Sequence, residues 1–83
     1  MNASKINTLD ELRESVKAGH HDYFIALKPG GLRSSKEIDI TPSGEFAIFS
    51  SVSGTVNTYD DQALALFTNI PEAIAKGAFY QAN

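Results

Sequence analysis

The sequence predicts an α+β fold. It reads as an antiparallel β-meander of three to four strands, with an N-terminal helix and two short C-terminal helices, in the order α-β-β-β-β-α-α. Three observations predict it. Thr8-Leu9-Asp10-Glu11 has the form of a capping box and opens a helical pattern. From Tyr23 the apolar period changes to two. Three close turn signals, Lys28-Pro29-Gly30-Gly31, Pro42-Ser43-Gly44 and Ser53-Gly54, then separate short alternating runs. With 83 residues the chain is a single domain, 1–83.

The first helix is expected over 9–18. Leu9, Leu12 and Val16 fall on one face, Asp10–Arg13 and Glu14–Lys17 are spaced for surface ion pairs, and Gly19 suits the left-handed residue that ends a helix. The first strand begins at Tyr23, with Tyr23, Ile25 and Leu27 pointing one way and Phe24, Ala26 and Lys28 the other. Pro29-Gly30 fits a type II turn, because proline sets one dihedral and glycine accepts a positive φ. The second strand is expected over 33–41, the third over 45–52 and a weaker fourth over 55–59. Asp60 or Asp61 can cap a helix that groups Ala63, Leu64 and Phe67. Asn69-Ile70-Pro71-Glu72 restarts a helix with a capping asparagine and a proline in the first turn, and Gly77 stops it. Ala78-Phe79-Tyr80 either packs back or adds a short edge strand.

Register follows from the turns. A three-residue loop between Thr41 and Glu45 pairs Ile38 and Ile40 with Ile48 and Phe46. An even first loop brings Tyr23, Ile25 and Leu27 onto that same face, which becomes the core under helix one. The other face carries Phe24, Ala26, Ala47 and Phe49 beside Arg33, Ser35, Glu37 and Ser51. Two phenylalanines on one face are unusual for a strand surface in water. The C-terminal helices are expected to cover them, since Phe67, Ile74 and Phe79 need a place to pack; the alternative is an interaction surface.

Composition narrows the function. Apolar residues at 42% and charged residues at 20% belong to a globular chain and not to a disordered one. Without cysteine there is no disulfide framework, thiol nucleophile or cysteine-held metal. No apolar run approaches the ~20 residues that span a bilayer, and the start of the chain lacks a signal-peptide core. The expectation is a cytoplasmic protein with no membrane association. Net charge is −3, yet Lys28, Arg33 and Lys36 form one short segment free of acids. An acidic domain with one basic segment is no general polyanion binder.

The Gly30-Gly31-Leu32-Arg33-Ser34-Ser35-Lys36 segment is the leading candidate site. Glycines let backbone N–H groups approach an anion, and Arg, Ser and Lys add donors. It lacks the spacing of a P-loop and the helix that follows one. The competing reading is a glycine turn required by hairpin geometry, followed by solvated charges. His20-His21-Asp22 does not suit a metal, because adjacent strand residues point to opposite sides and no further His or Cys completes a site. Asp60-Asp61 reads as helix capping, and the spaced acidic loop of a calcium site is absent. No metal or cofactor is expected, and a chain of this size has little room for both a catalytic triad and a substrate cleft. The chain is not expected to be an enzyme.

The helix–meander–helix order is similar in outline to double-stranded-RNA-binding domains. That likeness implies a lysine-rich start to the last helix, where this chain has Asp60-Asp61-Gln62 or Pro71-Glu72, of the wrong sign. An RNA-recognition motif needs aromatics on an open sheet face in a β-α-β order, which the expected α-β-β-β-β-α-α order does not supply. Tyr23-Phe24-Ile25, Pro29-Gly30-Gly31-Leu32-Arg33-Ser34-Ser35-Lys36 and Asn69-Ile70-Pro71-Glu72-Ala73-Ile74-Ala75-Lys76-Gly77-Ala78-Phe79 resemble small bacterial and mobile-element proteins of unknown function. The resemblance spans about half the chain and implies no activity.

The reading that results is a small non-enzymatic binding module that contacts a protein partner and is itself a monomer or weak homodimer. The candidate partner-binding residues are Lys28, Gly30, Gly31, Arg33, Ser35 and Lys36 of the hairpin, with Phe24 and Phe49 of the sheet face. The alternative is weak nucleic-acid or phosphate-ligand binding through the Lys28–Lys36 hairpin. Arg33 and Lys36 are three apart on a strand, so they leave opposite faces unless the strand bulges beside the glycines.

Overall fold

The computed structural model describes residues 3–28, 33–49 and 61–82. Along the chain these form β1 (Ala3–Lys5), α1 (Leu9–Lys17), β2 (Asp22–Ala26), β3 (Arg33–Ile40), β4 (Phe46–Phe49), α2 (Asp61–Ala65), a 3-10 turn (Leu66–Thr68), α3 (Ile70–Ala75) and β5 (Phe79–Ala82). The strands make one five-stranded antiparallel sheet in the order β1-β5-β2-β3-β4.

The α+β class and the β2-β3-β4 meander hold; the strand count is corrected. Both chain ends supply strands, and β5 is no edge strand but lies between β1 and β2. The reason is pairing. Phe24 of β2 stands opposite Tyr80 of β5, and Tyr80 stands opposite Lys5 of β1. The expected strand at 55–59, the Ser53-Gly54 turn and the Pro29-Gly30-Gly31 turn lie outside the described residues.

Local signals act as the chemistry requires. The Glu11 amide donates to Thr8 Oγ1 at 3.0 Å, which satisfies one of the free amides at the start of α1. The Glu72 amide donates to Asn69 Oδ1 at 3.4 Å and so caps α3. At the β3–β4 turn the Thr41 amide donates to the Glu45 carbonyl at 2.8 Å, leaving a three-residue loop in which Gly44 has φ +88°. That loop sets Ile38 against Ile48 and Ile40 against Phe46, as the alternation predicts.

One face of the sheet holds the core. Tyr23, Ile25, Ile38 and Phe79 pack under Leu12 and Val16 of α1, Ala63 and Phe67, and Ile70 and Ala73 of α3. Phe67 meets Phe79 edge-on, with ring centroids 6.1 Å apart. Leu9, expected in the core, is 39% exposed. It lies at the rim of an open cleft of about 500 Å³ beside Phe46, Ile48, Phe67 and Pro71. The expected Asp10–Arg13 pair is also replaced. Arg13 reaches across to the β3–β4 turn, where its Nη1 donates to the Gly44 carbonyl at 2.7 Å and its guanidinium lies 4.8 Å from the Phe46 ring centre. No helix among the described residues is long and apolar enough to cross a membrane.

Candidate functional site: the outer face of the sheet

The described helices all pack on the Tyr23–Ile25–Ile38 face. This corrects the expectation that the C-terminal helices cover Phe24 and Phe49. Phe67 and Phe79 find their place in the core with Tyr23, and Ile74 packs against it. The physical reason lies in β3. Its outward residues are Arg33, Ser35, Glu37 and Asp39, and a helix laid over them would strip water from three charged groups.

The face is built by register. Lys5, Tyr80, Phe24 and Ser35 form one row across four strands; Asp22, Glu37 and Phe49 form the next. Phe24 and Tyr80 stack with centroids 5.0 Å apart and planes 10° from parallel. Arg33 lays its guanidinium 4.6 Å from the Phe24 ring centre, and Lys5 Nζ lies 5.8 Å from that of Tyr80. The result is a ladder of cation, ring, ring and cation. Such contacts contribute about 0.5–1 kcal/mol each where exposed. They leave Phe24 only 7% exposed although it is no part of the core cluster. Phe49, at the outer strand, is 48% exposed. The face therefore offers an aromatic and basic part beside a part carrying Asp22, Glu37 and Asp39.

Of the sequence-predicted site residues, Phe24, Arg33, Ser35 and Phe49 share this face. Lys36 stands opposite Tyr23 and so belongs to the other one. Arg33 and Lys36 thus diverge, as the strand period dictates, and among the described residues of β2 and β3 the register runs without a bulge. Lys28 is exposed just beyond β2, and Gly30 and Gly31 lie outside the described residues. Sequence reasoning missed Tyr80 and Lys5. The signal for Tyr80 was present in the Phe79-Tyr80 alternation; Lys5 joins only through the pairing of the two chain ends.

A second polar cluster lies between α1 and the sheet. The Ser15 hydroxyl contacts the Tyr23 hydroxyl at 2.7 Å and also bonds the Gln81 side chain, while the Tyr23 hydroxyl donates to the His20 carbonyl at 2.8 Å. Burial pushes the Tyr23 phenol above its ordinary value; the Ser15 hydrogen bond pulls it down, and the nearby Asp22 charge pushes it up. His21 Nδ1 lies 3.2 Å from the Ile38 carbonyl oxygen. Among the described residues no group of His, Cys, Asp and Glu is placed to hold a metal ion.

Fold and face together define a two-layer α+β domain with an aromatic, mixed-charge outer sheet surface. No protein-family model matches the chain, no curated protein matches it, and no solved structure matches it.

Proposed function

We propose that this chain is a small non-enzymatic binding module that docks a protein partner on the outer face of its sheet. The observation that carries the reading is Phe49. It stands half exposed on a face whose other rings are already packed against one another and against cations. An exposed ring beside a rigid, mixed-charge platform is the composition of a protein contact, where aromatics and arginine anchor binding and charges set orientation. Lys28 lies beyond the end of β2, beside the hairpin, and contributes at the rim.

The test is capture from native lysate with wild type, Phe49→Glu and Lys17→Glu, each checked by thermal melt. Lys17 lies on α1, in the helical layer. Phe49→Glu is expected to weaken capture about tenfold or more, as loss of an interface anchor does, with Lys17→Glu unchanged. Equal loss or equal retention in both variants rejects the sheet face as the contact.

Nucleic-acid binding is a second reading. Rings between cations on an antiparallel sheet are also the chemistry on which single strands stack. Against it stand the burial of Phe24 and the carboxylates of Asp22, Glu37 and Asp39 on the same face. A steep loss of affinity with salt favours this second reading; a shallow one favours the protein contact.

A further inference from the structure

Strand β3 presents its outward residues in the order Arg33, Ser35, Glu37, Asp39, that is positive, neutral, negative, negative. The row is self-complementary when run against itself in the opposite direction. A twofold axis parallel to the sheet and perpendicular to β3, passing over position 36, sets residue 33 of one copy against 39 of the other, and 35 against 37. We propose that the partner seated on this face is a second copy of the chain, in a face-to-face dimer closed by this axis. This rests on the reading of the outer face as a protein-binding surface.

Charge selects the arrangement. With the strands antiparallel, each Arg33 meets Asp39 of the second copy, twice per dimer, since an isologous interface repeats every contact. With the strands of the two copies parallel, Arg33 meets Arg33, Glu37 meets Glu37 and Asp39 meets Asp39, which is repulsive throughout. Packed sheets lie about 10 Å apart, a distance that an arginine and an aspartate reaching toward each other from facing sheets together span. The guanidinium of Arg33 already lies above the sheet, on the Phe24 ring. The same axis carries Asp22 of the second copy over Phe24, because Asp22 and Phe24 are adjacent outward positions of β2. Arg33, held on its ring, then faces two carboxylates. Asp39 has one carboxylate oxygen on the Ile40 amide at 2.8 Å, which holds the group at the strand.

The test is sedimentation over a concentration series, with circular dichroism to check folding. Wild type is expected to be in concentration-dependent monomer–dimer exchange. Arg33→Asp alone and Asp39→Arg alone each set like charges together and give monomers. An equimolar mixture of these two variants associates, because the chain with two acids then meets the chain with two arginines at both contacts. Ser35→Lys leaves Arg33 and Asp39 in place and sets a cation against Glu37 of the second copy. It is expected to tighten the dimer several-fold, and Ser35→Glu to loosen it, so the proposal stays testable even where a change at Arg33 disturbs the fold. A chain that stays monomeric to about 1 mM, the weak end of specific affinity, overturns the proposal. So does a dimer indifferent to all four substitutions, or a mixture that fails to associate. A monomeric chain whose capture of another protein is lost in Phe49→Glu overturns the dimer alone and leaves the binding face standing.

Discussion

The Tyr23 hydroxyl lies 2.7 Å from the Ser15 hydroxyl, so the last turn of α1 is tied to the centre of the sheet by a part-buried polar contact. Tyr23 is fully buried, and its ring lies 5.8 Å from that of Phe79. Burial therefore favours the neutral, hydrogen-bonded phenol in the folded chain.

That requirement gives a pH dependence. The folded phenol is raised above its ordinary value of 10.0, first of all by burial. Below that value it is protonated in both states, and its contribution to stability is whole. As pH rises through 10.0 toward the folded value, the unfolded chain loses the proton first, and stability falls. Thermal midpoints measured from pH 8 to pH 12 are expected to drop more steeply in wild type than in Tyr23→Phe. Parallel curves for the two chains show that the phenol does not titrate differently on folding.

Arg13 joins α1 to the β3–β4 turn through the Gly44 carbonyl and the Phe46 ring. Arg13→Ala is expected to cost about 1–2 kcal/mol, within the range for a charge-assisted bond with stacking. Arg13→Lys recovers only part of this, because an ammonium does not stack as a planar guanidinium does. Urea unfolding of the three chains reads the difference; equal midpoints mean the contact adds nothing net.

Gly19 ends α1 with φ +101°, and a Cβ built there meets nothing within 4 Å. Its substitution therefore tests backbone conformation without a clash. Gly19→Val is expected to destabilise by about 1–2 kcal/mol, the cost of a left-handed conformation for a residue with a side chain. Gly19→Asn is expected to cost less, since asparagine tolerates that region. A melt in which valine and asparagine behave alike refutes the assignment of the cost to φ.

Much of this structure is local and could be read from residues close in the chain. The Thr8 cap, the Gly19 stop and the Thr41–Glu45 turn are each settled within a few residues by hydrogen-bond geometry. The period-2 alternation through Tyr23, Ile25, Ile38, Ile40, Phe46 and Ile48 then assigns the core face, because a slip of one residue would invert it. The divergence of Arg33 and Lys36 follows from the same period.

What the alternation leaves open is where the C-terminal helices pack and what Phe24 packs against. Those depend on residues far apart in sequence. β1 has three residues, too short for periodicity to mark it, and the Phe79-Tyr80 alternation leaves β5 open between packing back and an edge strand; each is a strand through hydrogen bonding to its neighbour. Once β5 enters beside β2, Phe79 fills the core and Tyr80 covers Phe24 from the other side. The helices lie over Tyr23, Ile25 and Ile38, because covering the opposite face would take Arg33, Glu37 and Asp39 out of water, and desolvating a charge costs more than covering a phenylalanine returns.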